Sequence, residues 1–259
     1  MMDREILLRD GELKIPTRIT LPDGIVPRRV VLGVHGLGGS MDDEIQQSIA
    51  EEMAFFRAAC VRFDLPCHGK SPMGPGDFTL DYSVRSLLAA AKFAREAFRD
   101  TEGLCVFATG FGAYVTLVAL PELLELTEDI RLVVQTPSVM MHQTLLSMIR
   151  MSREDFRAAG SYTFPLAKPF TVTYEFYQEL QNNIVLNPQP IPMLILHGER
   201  DDYIPMDQIQ NFRRINEDSR LVIIPGASHR FLEEGAWDMV LDLTRDWFEF
   251  RQVLLTDWE

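Results

Sequence analysis

The chain has 259 residues, of which 46% are hydrophobic, and it carries a formal net charge of −13 at pH 7. A chain of this length supplies one large domain with a sizeable core. So strong a negative charge argues against nucleic acid or an anionic membrane surface as a partner, because both bind basic patches, and it suits a soluble protein that handles small, neutral or apolar molecules.

Short apolar runs rich in β-branched residues alternate with helical patterns along the chain. The alternation predicts an α/β fold with a mostly parallel central sheet and helices on both faces. Residues 3–20 are predicted to form a β-hairpin that turns at Asp10-Gly11. Buried strands are predicted, in chain order, at residues 30–34, 60–63, 104–108, 132–134, 193–196 and 221–224. Helices are predicted after a cap at Ser40, at 81–98, from Phe111 onward and at 233–250.

A long stretch without a clear strand separates the predicted strands near 131–135 and 192–197. It exceeds the usual connection of about 4–6 residues many times over, and it is dense in methionine and aromatic side chains. We therefore predict that approximately residues 139–190 form a small helical cap, inserted into a single domain that spans residues 1–259. The alternative is one ordinary crossover helix with an irregular loop.

The first candidate site segment is the glycine-rich turn at residues 35–39, His-Gly-Leu-Gly-Gly, directly after a predicted strand. Glycine lets the backbone turn sharply and leaves N–H groups pointing into a cleft, as stabilisation of an oxyanion requires. The N–H group of Leu37 is the predicted donor. Taken alone the pattern is weak, because glycine-rich turns after strands also hold phosphates.

A second turn occupies the strand–turn–helix position of a nucleophile elbow, whose pattern is Gly-x-Ser-x-Gly. Residues 107–114 read Phe-Ala-Thr-Gly-Phe-Gly-Ala-Tyr, which places Ala108 at the first glycine, Gly110 at the serine and Gly112 at the last glycine. The elbow strains its central residue, at a cost of about 1–3 kcal/mol for a residue with a side chain. Glycine relaxes that strain and preserves the turn, but the hydroxyl group is lost.

An acidic residue and a histidine follow the last two predicted strands. Asp201 lies in the segment 197–205, and His229 ends the segment 225–229, which reads Pro-Gly-Ala-Ser-His. The order of nucleophile position, acid and histidine along the chain is that of the α/β-hydrolases, and it differs from the order in other serine hydrolases.

With these segments in register, the chain resembles the α/β-hydrolase superfamily. It looks most like bacterial carboxylesterases of the cinnamoyl/feruloyl-esterase type, and it is similar to serine aminopeptidase-like and monoacylglycerol-lipase-like hydrolases. Residues 64–71, Asp-Leu-Pro-Cys-His-Gly-Lys-Ser, resemble the family's Asp-x-x-Gly-His-Gly-x-Ser loop, with Cys67 at its first glycine. In that loop His68 is expected to stabilise the turn rather than to take part in catalysis. The resemblance implies the α/β-hydrolase fold and a Ser–His–Asp mechanism that forms an acyl-enzyme.

The resemblance also implies roles for individual residues. Asp201 would orient His229 and stabilise its imidazolium, and His229 would be the general base. The N–H groups of Leu37 and Phe111 would form the oxyanion hole. The departure at Gly110 removes the one atom that attacks the substrate.

Two nearby side chains are candidates to replace the missing serine. Thr109 precedes the tip of the elbow, and its side chain is predicted to point away from His229. Cys67 lies on a neighbouring loop, but a single loop cysteine is more often inert. Neither is expected to act as the nucleophile. The remaining histidines have no metal-ligand spacing, so no metal and no other cofactor is expected.

The favoured hypothesis is a carboxylic ester hydrolase for small acyl or aryl esters that keeps the Asp201–His229 dyad and the oxyanion hole. Without a nucleophile at Gly110 it would be weak or inactive. The alternative is a non-catalytic protein that binds a small apolar ligand in the same pocket. A third hypothesis is a serine-independent enzyme, such as a lyase that uses His229 as a base, although no specific feature supports it.

The compartment is predicted from the cysteines and the N-terminus. The three cysteines are odd in number and form no disulfide framework, which favours a reducing environment. The first residues show no basic patch followed by an apolar run, and no stretch approaches the roughly 18 apolar residues of a membrane span. A cytoplasmic location without a membrane partner is therefore expected.

Overall fold

The computed structural model of the chain describes residues 1–166 and 168–248. Its strands are β1 (Met2–Asp10), β2 (Leu13–Leu21), β3 (Arg29–Val34), β4 (Ala58–Phe63), β5 (Leu104–Thr109), β6 (Ile130–Gln135), β7 (Ser161–Phe164), β8 (Phe170–Thr173), β9 (Met193–Gly198) and β10 (Arg220–Ile224). Its α-helices are α1 (Glu44–Phe55), α2 (Leu80–Ala97), α3 (Gly110–Val118), α4 (Leu120–Leu126), α5 (Met141–Ile149), α6 (Arg153–Ala159), α7 (Tyr174–Asn182), α8 (Met206–Ile215) and α9 (Ala236–Trp247).

Eight of the strands form one sheet, in the order β1-β2-β4-β3-β5-β6-β9-β10. Strand β2 pairs antiparallel with both β1 and β4, whereas the pairs from β4 through β3, β5, β6 and β9 to β10 are all parallel. The hairpin predicted at the start of the chain is β1 and β2, with Gly11 in the left-handed region of the turn. The predicted mostly parallel sheet is confirmed.

Two apolar cores cover the two faces of this sheet. Val106 and Ala108 of β5 face the core built with α2 and α3, whereas Cys105 and Phe107 face the core built with α1 and α9. Because successive side chains of a strand point to opposite faces, a strand buried on both sides shows no polar alternation. This explains why the parallel strands have continuous apolar sequences, and the predicted helices on both faces are confirmed.

The predicted start of helix α1 is wrong. The helix begins after Asp43 rather than after Ser40, and Asp43 makes no side-chain capping bond. The Ser40 hydroxyl accepts a hydrogen bond from the N–H group of Asp42 at 3.2 Å and donates one to the carboxylate of Asp43 at 3.1 Å. Ser40 therefore closes a local turn, because serine oxygens bond nearby backbone groups in turns as readily as at helix starts.

The stretch predicted as an insertion, residues 139–190, contains α5, α6 and α7 together with the antiparallel pair β7 and β8. The short hairpin was not expected from the sequence. The last helix, predicted at 233–250, is α9, and positions 249–250 of that prediction lie outside the described residues. Within the ranges given above, no helix combines the length and the apolar character that crossing a bilayer needs.

Candidate active site

The register of the sheet brings the predicted site segments to one edge. Thr109 at the end of β5 is level with Gln135 of β6, Gln135 is level with Leu196 of β9, and Leu196 is level with Val222 of β10. Parallel strands all end at the same edge, and neighbours lie about 4.8 Å apart. The turns that carry position 110, Asp201 and His229 therefore begin at one edge of the sheet.

Asp201 and His229 form the central hydrogen bond of this edge. The Nδ1 atom of His229 lies 2.8 Å from Oδ2 of Asp201, whose side chain is fully buried. The other oxygen, Oδ1, accepts hydrogen bonds from the N–H groups of Tyr203 at 2.9 Å and Ile204 at 3.0 Å. Burial by itself would raise the pKa of Asp201, but these hydrogen bonds outweigh it and hold the pKa below its usual value. An ionised Asp201 fixes the proton on Nδ1 and leaves Nε2 as the reactive nitrogen.

A glycine between them allows the two loops to approach. A Cβ atom at Gly198, the last residue of β9, would lie 2.5 Å from the carbonyl oxygen of Ala227 and 2.6 Å from that of Ser228. The N–H group of Arg200 donates to the carbonyl of Ala227 at 2.9 Å and ties the loops together. Gly198 therefore sets the distance between the acid and the histidine, and the sequence pattern gave no indication of this role.

Position 110 lies in a sharp turn that leads from β5 directly into α3. Gly110 is the first residue of α3, is buried and has a φ of +50°, in the left-handed region. A Cβ atom built there would meet no atom closer than the Cα of Gly36, at 3.9 Å. Two residues later the packing is much tighter, since a Cβ atom at Gly112 would lie 2.7 Å from the carbonyl oxygen of Val34. Space is therefore available for a side chain at position 110, but not at position 112.

The two predicted oxyanion donors have no partner within residues 1–166 and 168–248. The first N–H groups of a helix lack intrahelical acceptors, and the side chain of Thr109 makes no capping bond to α3. The N–H group of Phe111 is one of these donors, and that of Leu37 makes no hydrogen bond either. The next N–H group, that of Gly38, donates to Nε2 of His68 at 2.9 Å. The glycine-rich turn is thus held from one side while its Leu37 donor stays available.

His68 uses both ring nitrogens to hold this turn. Nδ1 donates to the carbonyl oxygen of Pro66 at 2.8 Å, and Nε2 accepts from Gly38. Burial lowers the pKa of His68 to about 3, and the neighbouring ring of His35 acts in the same direction. His68 is therefore neutral at physiological pH and has no nitrogen left for catalysis.

This buried neutral histidine predicts acid lability. In the unfolded chain His68 regains its usual pKa of 6.5, so unfolding takes up a proton wherever the pH lies between about 3 and 6.5. The contribution of neutral His68 to stability is therefore fully present above pH 6.5. Below that pH the free energy of unfolding falls by about 1.4 kcal/mol per pH unit because of this residue. From pH 7 to pH 5, the free energy of unfolding measured in urea should fall by about 2 kcal/mol less for His68→Gln than for the unmodified chain. Equal losses in the two proteins would contradict the assignment.

The two candidate replacements for the serine hydroxyl, Cys67 and Thr109, lie in different surroundings. Cys67 has a φ of +65°, and its thiol donates to the carbonyl oxygen of Gly74 at 2.8 Å. Burial raises the pKa of this thiol to about 11, so it stays protonated and weakly nucleophilic at neutral pH. The Oγ1 atom of Thr109 lies beside Gly36, where it would be 3.5 Å from a Cβ atom.

Two further residues lie at this edge for which the sequence predicted no catalytic role. His197, fully buried, has its Nδ1 atom 3.8 Å from Oδ2 of Asp201, and burial lowers its pKa, so it stays neutral. Lys168 extends from the segment between β7 and β8, and its ammonium group donates to the carbonyl oxygens of Gly69 at 2.9 Å and Ser71 at 2.5 Å. A histidine near the end of a buried strand gives only a weak signal in the sequence. A lysine that binds carbonyl oxygens of a distant segment gives no signal.

The aromatic side chains of the insertion pack onto the elbow. The ring of Phe111 lies 6.1 Å from that of Phe176 in α7 and 5.4 Å from that of Phe78. Phe170 of β8 lies 4.6 Å from the ring of His68. Next to the glycine-rich turn is a cavity of about 170 Å³, lined by Gly38, Gly39, Ser40, Asp43, His68, Gly69, Leu166 and Lys168. Aromatic side chains of the insertion therefore contact Phe111 and His68, whereas the neighbouring cavity is lined in part by polar and charged side chains.

Comparison with known proteins identifies related folds. The model of a family described as the alpha/beta hydrolase family matches residues 30–243. Est1E from Butyrivibrio proteoclasticus, solved with bound ferulic acid, has a TM-score of 0.77 at 17% identity, with 96% of this chain and 99% of that chain covered. Alpha/beta hydrolase domain-containing protein 10 from mouse has a TM-score of 0.72 at 17% identity, covering 95% and 98%. Dienelactone hydrolase from Anabaena variabilis has a TM-score of 0.64 at 19% identity, covering 96% and 97%. A search of curated protein sequences finds no significant match.

Proposed function

Because this chain belongs to the alpha/beta hydrolase family, we propose that its candidate site derives from a carboxylic ester hydrolase for small acyl or aryl esters. The carrying observation is the 2.8 Å hydrogen bond between Asp201 and His229, at the same edge of the sheet as the left-handed turn at Gly110. With glycine at position 110 no hydroxyl is available to attack an ester. The protein as it stands is therefore weak or inactive as an esterase.

The remaining residues fit the steps of serine-hydrolase chemistry. An ionised Asp201 holds the Nδ1 proton of His229, so that Nε2 is free to accept a proton from a nucleophile on the opposite side. The free N–H groups of Leu37 and Phe111 would bind the oxygen that becomes negative during attack. Without a nucleophile, these groups leave only a small residual catalysis, in which His229 could activate a water molecule.

We propose that residues 139–190 form the cap of this site and select small apolar acyl or aryl groups. The aromatic contacts between Phe111, Phe176 and Phe78 support an apolar environment next to the elbow. The ferulic acid bound to Est1E, which shares the fold, is a small aryl compound of this kind. The net charge of −13 disfavours anionic polymers and membranes as partners, and a cytoplasmic location stays a prediction.

Covalent labelling tests the proposal directly. Fluorophosphonates react with a serine hydroxyl only when a general base activates it, so the unmodified chain should remain unlabelled. The Gly110→Ser variant should be labelled at position 110, as read by mass spectrometry of the intact chain and its peptides. Adding His229→Gln to this variant removes the base and should abolish labelling. A folded Gly110→Ser variant that resists the reagent would contradict the proposed role of the site.

A second candidate function is non-catalytic binding of a small ligand at the same site. It is favoured by the absence of a hydroxyl at Gly110 together with the protonated, hydrogen-bonded thiol of Cys67. A protein with this site would retain the donors and the imidazole as recognition groups. Binding without turnover is then the activity to measure in the unmodified chain.

A further inference from the structure

We propose that the candidate site of the unmodified chain is a receptor for the carboxylate group of small apolar acids and binds these acids more tightly than the corresponding neutral amides and esters. The inference rests on the proposed function, because it uses the assignment of Gly110, His229, Leu37 and Phe111 to one site. It goes beyond that function by naming a ligand that is not a substrate.

The first support is the space that a side chain at position 110 would occupy. A Cβ atom there would be 3.9 Å from its nearest neighbour, the Cα of Gly36, which also lacks a side chain. In a serine hydrolase the hydroxyl oxygen stands between the oxyanion donors and the histidine. With two glycines facing each other, this position is open to an oxygen atom of a ligand.

The second support is the sign of the free groups around this space. The N–H groups of Leu37 and Phe111 are donors without a partner in the described part of the chain. The start of α3, a helix of nine residues, adds the positive end of its dipole. Donors of this kind bind a full negative charge more strongly than the partial charge of an ester carbonyl, since charge-assisted hydrogen bonds are about twice as strong as neutral ones.

The third support is the free nitrogen of His229. Nδ1 donates to Asp201, so in this tautomer Nε2 is the acceptor. A carboxylate oxygen can approach Nε2 closely only if one proton is taken from solvent and shared between them. Binding of a carboxylate should therefore take up about one proton, whereas binding of a neutral amide or ester should take up none.

The other charged groups near the imidazole are already engaged. Asp201 uses both oxygens, His197 is buried beyond it and neutral, and the ring of Tyr203 lies 5.0 Å from that of His229. Glu233 accepts a hydrogen bond from the N–H group of Ser228 at 3.0 Å. This bond lowers the pKa of Glu233 and keeps its carboxylate ionised. Asp201, His197 and Glu233 therefore do not exchange the proton near neutral pH.

The overall charge of the chain makes the preference specific. A net charge of −13 repels anions at long range, so an apolar acid gains nothing from the general field of this protein. Any preference for an acid over its amide must come from short-range contacts with the donors and with His229. Asp43, which borders the neighbouring cavity, is tied to Ser40, and Lys168 lines the same cavity with the opposite charge.

Calorimetric titration of the unmodified chain with four matched pairs tests the inference. The probes are benzoate, 3-phenylpropanoate, hexanoate and decanoate, each compared with its primary amide, at pH 7.5 in two buffers that differ in ionisation enthalpy. At least one acid should bind ten or more times more tightly than its amide and take up about one proton. His229→Gln should weaken the binding of that acid at least tenfold and leave the affinity for the amide unchanged. Arg230→Gln, which removes an exposed positive charge from the adjacent residue, should change affinity less than twofold.

Three results would overturn the inference: no acid binds more tightly than its amide, binding takes up no proton, or Arg230→Gln weakens binding as much as His229→Gln. If His229→Gln fails to fold, the proton uptake and the acid–amide comparison of the unmodified chain decide the matter. Labelling of Gly110→Ser is an independent result. If Gly110→Ser is labelled but the unmodified chain binds no acid more tightly than its amide, only the carboxylate receptor is contradicted. If the unmodified chain binds an acid through His229 but Gly110→Ser is not labelled, the receptor is supported and only the esterase ancestry is contradicted.

Discussion

Replacing Gly110 by serine is expected to raise kcat/KM for 4-nitrophenyl acetate and butanoate by roughly 10³-fold or more over the unmodified chain. The Cβ atom fits, because its nearest neighbour is 3.9 Å away, and the backbone already has the left-handed φ of +50° that the elbow demands. The new hydroxyl would face an imidazole whose Nδ1 is held by an ionised Asp201. Initial rates of ester hydrolysis by the purified proteins measure the gain.

Two variants separate the hydroxyl from its side effects. Gly110→Ala introduces the same backbone strain without an oxygen and should remain as slow as the unmodified chain. Gly110→Ser combined with Asp201→Asn keeps the nucleophile but loses the carboxylate that orients His229, so it should be slower than the single variant by several orders of magnitude. A correctly folded Gly110→Ser protein that is no faster than Gly110→Ala would refute the hydrolase ancestry of the site.

Gly112→Ala is expected to be the most destabilising exchange in the elbow. Its Cβ atom would lie 2.7 Å from the carbonyl oxygen of Val34 and 2.9 Å from the Cγ1 atom of the same residue. Because α3 leaves β5 without a loop, the helix can retreat from β3 only by disturbing the elbow. We expect a loss of about 3 kcal/mol or more in the free energy of unfolding, at the upper end of overpacking effects.

Gly110→Ala is the matched control for this exchange, two residues away on the same turn. Its Cβ atom has space, so only the left-handed backbone opposes it, at a cost of about 1–2 kcal/mol. Urea unfolding of both variants at pH 7 compares the two costs. If Gly110→Ala proves the more damaging, the tight approach of α3 to β3 is not what makes glycine necessary at position 112.

The sequence was sufficient for the elements whose signal is local. Continuous apolar runs predicted the strands of the parallel sheet, since a strand buried on both faces has no polar alternation. The chain order of position 110, Asp201 and His229 identified the segments that the sheet register brings to one edge. Local chemistry was misleading at Ser40, where a serine that resembles a helix cap closes a turn instead.

The features that the sequence did not reveal depend on contacts between distant segments. Gly198 must be glycine because the carbonyl oxygens of Ala227 and Ser228 approach it, and no local pattern encodes that distance. Lys168 binds carbonyl oxygens about a hundred residues earlier in the chain. The hairpin of β7 and β8 consists of two strands of four residues, too short to show a period, and it forms where the insertion packs on the core.

The left-handed backbone at position 110 has a genetic consequence. Glycine codons of the form GGY become serine codons AGY through a single base transition, and the surrounding atoms need not move to accept the new side chain. Under the proposed ancestry, one base change is enough to remove or restore the nucleophile, without a compensating change elsewhere.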